Sequence, residues 1–488
     1  MNPELLAKYE PVIGLEVHAQ MLTKSKAFCT CSTEFGAPPN SRTCPICLAH
    51  PGTLPMLNEN LVRYIARMGV ATNCQIRERS IFARKNYFYP DLPKGYQISQ
   101  YETPICHDGW VEAELPAGDF KRIGITRIHM EEDSGKSIHD FGVDTLVDLN
   151  RAGVPLIEIV SEPDMRSSDE GYAYLTAIKS FVTYLGICDG NMEEGSLRCD
   201  ANVSVRVRGA DKFGQKTEVK NLNSFRNVKL AIEAEIERQI GLLESGGTVK
   251  HETMLFDANK GITRPMRTKE EAHDYRYFPE PDLLPVTITA KYLEEISKEL
   301  PELQRVRRDR FINDFGLPKY DADVLTVDKA MADFFEDAIS NLGLKSNDLI
   351  KSISNYLMGD VMRILSENKT TIQSLGLEPK HLADLISLVA DKTISNKIAK
   401  DLLPELIGSK LSPNEIVAQR GMAQVSDEGA LRDAVKATLA NNPDNVAKYK
   451  SGKTNLFGFF VGQTMKAMNG KANPTLLNEV VKEELEKL

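Results

Sequence analysis

Ionisable side chains recur at every second position in three separate segments of this 488-residue chain. In Ile13-Gly-Leu-Glu16-Val-His18-Ala-Gln20, the apolar Ile13, Leu15 and Val17 alternate with Glu16, His18 and Gln20. Within Arg122–Asp133 one parity carries Arg127, His129 and Glu131, and within Pro155–Asp164 Glu158 stands between Ile157 and Ile159. A period of two puts each set on one face of a strand. An ordinary half-solvated sheet also alternates. Three strands that together offer carboxylates and a histidine, however, suit a hard cation such as Mg²⁺, which normally sits between a few carboxylates and substrate phosphates. A fourth alternating segment, Ser196–Arg208, presents Arg198, Asp200, Asn202 and Ser204 on one side. Its cations, amide and hydroxyl are the groups that an anion such as a triphosphate requires. With Glu218 and Lys220 following on a short strand, the inventory is that of phosphoryl transfer. Gly209–Thr217 and Asp133–Ser137 only approximate a P-loop and no dinucleotide fingerprint occurs, so a bound ATP is expected to lie on a sheet.

Cys29, Cys31, Cys44 and Cys47 fall within 19 residues. Two close pairs of thiolates can close a tetrahedral Zn²⁺ site with no open position, which makes its expected role structural, pinning residues 28–55. The other four cysteines are scattered and read as buried apolar residues. Arg84–Gln100 crowds aromatics, prolines and cations into a stretch that cannot be a regular helix, and reads either as a packed loop or as a substrate surface. Between Asp444 and Glu479 there is no acidic residue, while Lys448, Lys450, Lys453, Lys466 and Lys471 occur. That local reversal of sign fits contact with an RNA backbone, or else a solvated charged face.

The elements that must position these groups are of two kinds. Up to about residue 290 the chain reads as strands and loops; from Lys291 onward apolar residues recur at three and four, as in Leu349, Ile350, Ile353, Tyr356 and Leu357. Pro281–Pro285 marks the change, and Ser412-Pro413 opens a further helix. The composition, 26% charged and 42% hydrophobic with a net charge of −9, suits a folded protein and excludes one coated in basic surface. No stretch reaches the roughly 18 apolar residues of a membrane span, and the N-terminus lacks the pattern of a leader, so a cytoplasmic protein is expected.

Several longer strings carry a resemblance: Val12-Ile-Gly-Leu-Glu-Val-His18, Arg84-Lys-Asn-Tyr-Phe-Tyr-Pro-Asp91, Ile128-His-Met-Glu-Glu-Asp133, Glu158-Ile-Val-Ser-Glu-Pro163, Met192–Asn202, Lys220-Asn-Leu-Asn-Ser224 and Asp274–Pro281. In this order they resemble the signatures of the B subunits of glutamine-dependent aspartyl/glutamyl-tRNA amidotransferases, along essentially the whole chain. The resemblance implies an α+β protein: a cradle domain over 1–290 with an antiparallel sheet similar to that of glutamine synthetase, a helical domain over 291–410, and a helical tail over 411–488 that grips tRNA. It implies that the side-chain carboxylate of Glu-tRNA(Gln) or Asp-tRNA(Asn) is phosphorylated by ATP and then amidated by ammonia. His18, Glu131 and Glu158 would hold Mg²⁺ with Glu16 beside them, Lys85 and Lys94 would line the ammonia route, and Arg198, Asp200, Asn202 and Ser204 would contact the nucleotide. No glutaminase motif is present, so ammonia would come from an amidase-type A subunit, with a small C subunit completing a heterotrimer. Zinc is expected but is not essential to the chemistry. A freestanding glutamine-synthetase-like ligase of a small molecule and a zinc-stabilised RNA-binding scaffold are the competing readings.

Overall fold

A computed structural model of the chain describes residues 3–139, 142–268, 275–422, 428–468 and 472–487. They form two compact units, Met1–Leu303 and Gln304–Leu488.

The strands of the first unit that concern the site are β1 Tyr9–Gln20, β2 Gln75–Ile76, β3 Ala83–Asn86, β4 Tyr96–Ser99, β5 Cys106–Glu114, β6 Phe120–Glu132, β7 Pro155–Ser161, β8 Leu197–Val207, β9 Thr217–Lys220, β10 Glu252–Asp257, β11 Ile262–Thr268 and β12 Phe278–Pro279. Nine of them make one sheet in the order β11-β10-β9-β8-β1-β7-β6-β5-β2. A smaller sheet, β12-β3-β4, joins the two strands of the aromatic-rich segment to Phe278–Pro279.

The large sheet is mixed rather than purely antiparallel, because β9 and β10 run parallel. Between them the chain passes through helix Phe225–Glu244, and a strand that returns through such a crossover enters in the same direction as the strand it left.

Alternation decides which face of the sheet is covered. Ile13, Leu15, Val17 and Ala19 of β1 are buried in the core with Ile157 and Ile159 of β7 and Leu197, Cys199, Ala201 and Val203 of β8. Helices Glu59–Ala71, Ser168–Tyr184 and Phe225–Glu244 supply Ile65, Leu175, Ile178, Ile232 and Ile236 to the same core. Each helix starts on a side-chain cap (Asn58, Ser167 and Ser224) that accepts a first-turn N–H. The opposite parity, including Glu16, His18 and Gln20, is left for the other face.

Among the described residues the second unit is helical and has two hydrophobic cores. One gathers Phe311, Phe335, Leu357, Leu382, Leu402 and also Ile416 and Val417; the other gathers Leu431, Val435, Phe460, Leu477 and Val481. Helix Pro413–Gln419 opens on a reciprocal capping box between Ser412 and Glu415. No helix among the described residues is long and apolar enough to cross a membrane.

Candidate active site

Strand register brings the separate polar faces together. His129 on β6, Glu158 on β7, His18 on β1 and Arg198 on β8 are successive cross-strand partners. In the neighbouring row, Glu16 stands opposite Asp200. Directly opposed side chains lie within reach of one another. The result is a cavity of about 380 Å³ whose wall, among the described residues, carries five carboxylates (Glu16, Glu131, Glu158, Asp200, Glu218), two histidines (His18, His129) and the cations Lys85, Arg127, Lys216 and Lys220.

At its centre His18 Nε2 lies 3.3 Å from Glu158 Oε2, while His129 Nε2 lies 3.3 Å from Glu131 Oε1 and 3.4 Å from Glu158 Oε2. Lys85 Nζ is 3.8 Å from Glu131 Oε1. Two residues of β4 hold Glu131: Ser99 Oγ donates to Oε1 at 2.8 Å and Gln97 Nε2 donates to Oε2 at 2.9 Å. Burial opposes ionisation of Glu131, but the Lys85 ammonium and His129 outweigh it and hold the carboxyl at about 2. Burial likewise opposes ionisation of Glu158, and His129, His18 and Lys85 overcome it, leaving that carboxyl well below the usual range. In turn Glu158 and Glu131 keep His18 raised, and Glu131, Tyr277 and Glu158 keep Lys85 strongly cationic, against the cost of burial. His18, Glu131 and Glu158 each offer a ligand atom within 4.8 Å of the others, a group that could hold a metal ion. Two ionised carboxylates and one imidazole fit a hard divalent cation.

Asp200 lines the same cavity, where it accepts from Lys220 Nζ at 2.6 Å. Burial weighs against the Lys220 ammonium, yet Asp200 and Glu218 push its pKa up to about 12. Asn202 donates to Glu16 at 2.8 Å, and with Ser204 it lines an adjoining cavity of about 330 Å³ that shares Glu16 and Lys216 with the first.

Arg198 and Lys94 do not line the central cavity. Arg198 donates to Asp133 at 2.8 Å, where it neutralises a buried carboxylate. Lys94 is bound to Glu132, in a small cleft shared with Lys26, Phe28 and Cys47. Sequence reasoning did not assign Lys216, Gln100, Tyr101, Tyr275 or Tyr277 to the cavity. The two tyrosines spaced two apart at 275 and 277, within the string Asp274–Pro281, were the available signal.

Cys29, Cys31, Cys44 and Cys47 form a second group that could hold a metal ion. Their sulfurs approach one another at 3.4 Å (Cys29–Cys47), 3.7 Å (Cys44–Cys47) and 3.8 Å (Cys47–Cys31). Cys47 is held as a thiolate, its pKa lowered to about 4: the Cys29 thiol donates to it, burial opposes, and Lys26 adds positive charge with Nζ at 3.5 Å. Lys448, Lys450, Lys453 and Lys466 are exposed on the second unit; Lys471 lies outside the described residues.

A carboxylate–histidine centre ringed by cations on a mixed sheet is of the class that could hold a metal ion and receive an anionic group. Comparison with known proteins makes the assignment narrower. The family model described as the GatB/GatE catalytic domain matches residues 11–294, and the one described as the GatB domain matches 333–485. A relative from Geotalea uraniireducens, the B subunit of an aspartyl/glutamyl-tRNA(Asn/Gln) amidotransferase, is 56% identical over 482 residues, covering 98% of this chain and 99% of that protein. Proteins of the same name from Chlorobium limicola (54% identical; 98% of this chain, 100% of the relative) and Caldicellulosiruptor saccharolyticus (53%; 99% and 100%) are similarly close. The chain belongs to the GatB/GatE family.

Proposed function

We propose that this chain is the kinase and amidation subunit of an aspartyl/glutamyl-tRNA amidotransferase, acting in the cytoplasm with an amidase-type A subunit and a small C subunit. Full-length kinship to proteins of that name supports the reading. The observation that carries the chemistry is the His18–Glu131–Glu158 cluster facing Lys85, Lys216 and Lys220 across one cavity. A carboxylate is a very poor acceptor for an amine at neutral pH, so ATP first phosphorylates the side-chain carboxylate of the misacylated tRNA. Ammonia then displaces phosphate from the acyl phosphate.

His18, Glu131 and Glu158 would hold Mg²⁺, with Glu16 beside them. The ion when bound neutralises charge on the phosphates. Lys216 and Lys220 face the same anion from β9 and its approach. Asp200, Asn202 and Ser204 contact the nucleotide, whose base and ribose fit the adjoining cavity lined by Val12, Pro163 and Phe213. Arg198, paired with Asp133 outside the central cavity, is given no nucleotide contact.

Lys85 stands over the ring of Tyr275 at 5.3 Å and beside Glu131, where its charge steadies the developing anion. A polar thread runs from the Lys94–Glu132 pair through Gln97, which donates both to the Glu132 carbonyl (2.6 Å) and to Glu131 (2.9 Å). These polar groups support a role for the Lys94 side of the site in handing ammonia towards Glu131. The metal centre and its sheet support kinship of mechanism with glutamine synthetase.

The cysteine quartet fits zinc. Its sulfur separations of 3.4, 3.7 and 3.8 Å compare with tetrahedron edges of about 3.8 Å for metal–sulfur bonds of about 2.3 Å. Four protein ligands leave no open position, so zinc would brace residues 28–55 and supply no chemistry.

The test is amidation of Glu-tRNA(Gln) and Asp-tRNA(Asn) by the reconstituted complex with ATP, Mg²⁺ and either glutamine or ammonium. Product formation from both donors, lost in Glu158→Gln, is expected. ATP cleavage driven by free glutamate without tRNA would instead establish the small-molecule ligase.

A further inference from the structure

Five tyrosines run in a chain beside the metal-ligand cluster. Ring centroids of Tyr89–Tyr87, Tyr87–Tyr275 and Tyr275–Tyr277 are 6.1, 6.2 and 6.1 Å apart and the rings meet edge to face. The last pair differs: Tyr277 and Tyr101 are stacked flat, 4.2 Å apart with 6° between their planes. Tyr101, Tyr275 and Tyr277 line the central cavity, and Tyr101 is 42% exposed. A half-exposed ring at the end of a flat stack has aromatic surface to offer a further planar group. Nothing in the metal and phosphate chemistry uses such a surface, and burying it in the protein core would have been the cheaper arrangement.

We infer that Tyr101, backed by Tyr277, is the stacking platform for the terminal nucleobase of the aminoacylated RNA. The inference rests on the amidotransferase reading above. In that reaction the reacting carboxylate is tied through one short side chain and an ester to the terminal ribose. Once the carboxylate is at the His18–Glu131–Glu158 cluster, the attached base must lie along the wall of the same cavity. Every base has a π face, and single-stranded nucleic acid is held by stacking on tyrosine. A stack fixes the end of the RNA, and with it the position of the ester, so its effect falls on binding of charged tRNA and not on handling of ATP.

The experiment uses the assembled complex with ammonium as nitrogen donor, so that the glutaminase partner does not limit the rate. Tyr101→Ala is expected to raise KM for Glu-tRNA about ten- to a hundredfold with kcat and the KM for ATP changed less than about twofold. Tyr101→Phe and Tyr101→Trp, which keep a ring, are expected to stay near wild type; this distinguishes stacking from a general loss of structure. Wild type is expected to bind uncharged tRNA trimmed of its terminal adenosine more weakly than intact tRNA, and Tyr101→Ala to bind both alike. A rise in the KM for ATP instead would assign the platform to the nucleotide and overturn the inference. So would equal binding of trimmed and intact tRNA by wild type, which leaves the amidotransferase reading standing. Absence of amidation by wild type would refute that reading and the inference with it.

Discussion

Glu158 is buried between Ile157 and Ile159 on an otherwise apolar strand, and its charge is tolerated because two imidazoles and Lys85 surround it. Replacing it by Gln removes both a candidate metal ligand and the partner of His18. Amidation by the complex is expected to fall by two orders of magnitude or more, read as Gln-tRNA formed from ammonium. Ser99 does not line the substrate cavity, but its hydroxyl fixes one oxygen of Glu131 at 2.8 Å. Loss of a group that orients a metal ligand typically costs about ten- to a hundredfold in metal affinity. Ser99→Ala is therefore expected to raise the Mg²⁺ concentration for half-maximal activity by that factor while leaving activity at saturating Mg²⁺ close to wild type. An unchanged Mg²⁺ dependence would show that β4 does not set the geometry of Glu131.

At the scale of elements, helix Phe225–Glu244 is tied to the sheet it spans by a buried acid. Glu235, with no exposed surface, accepts from Thr217 at 2.6 Å, Gln239 at 2.8 Å, Thr263 at 2.7 Å and Arg238 at 2.6 Å. Burial resists its ionisation, yet Arg238 and the three neutral donors hold its pKa below the ordinary glutamate value of 4.5. Because the folded value is depressed, its contribution is complete above 4.5 and is lost as pH falls below that towards the folded value. Glu235→Ala strands four donors and is expected to cost about 3–5 kcal/mol at neutral pH. The gap between wild type and Glu235→Gln in urea melts should narrow as the pH is taken below 4.5; a gap independent of pH would contradict the assignment. The cysteine-rich insertion is a second case. Cys44→Ser is expected to abolish stoichiometric zinc in the purified chain and to expose residues 28–55 to protease, with the sheet still melting cooperatively.

Over the whole molecule, the proposed chemistry and the stacking platform for the RNA terminus fall within Met1–Leu303, whereas the exposed lysines at 448, 450, 453 and 466, proposed to contact the RNA backbone, fall within Gln304–Leu488. In a chain of net charge −9, tRNA affinity is then expected to depend on this local basic surface. Each lysine that contacts a phosphate contributes about 0.7–0.9 to the slope of log affinity against log salt concentration. Lys448, Lys450 and Lys453 all changed to Glu should weaken tRNA binding and lower that slope by about two to three, without changing ATP cleavage per bound tRNA. An unaltered slope would remove the tail from the RNA interface.

Much of this site was legible in the order of residues. Alternation is a local property: it showed that Glu16 and His18 share one face of β1 and that Ile13, Leu15 and Val17 occupy the other, because successive side chains of a strand must point oppositely. The close spacing of Cys29, Cys31, Cys44 and Cys47 could likewise be read directly, since a short loop can close on itself. Period two says which face a residue takes but not which residue it meets. Only the tertiary structure set His129, Glu158, His18 and Arg198 in one row. It also drew Arg198 away to Asp133 and Lys94 to Glu132, where buried carboxylates needed a partner. It made β9 and β10 parallel through an intervening helix, and it brought Tyr277 flat onto Tyr101 from far along the chain. Register, partner choice and crossover direction are settled by long-range packing, and the sequence of a single strand carries no record of them.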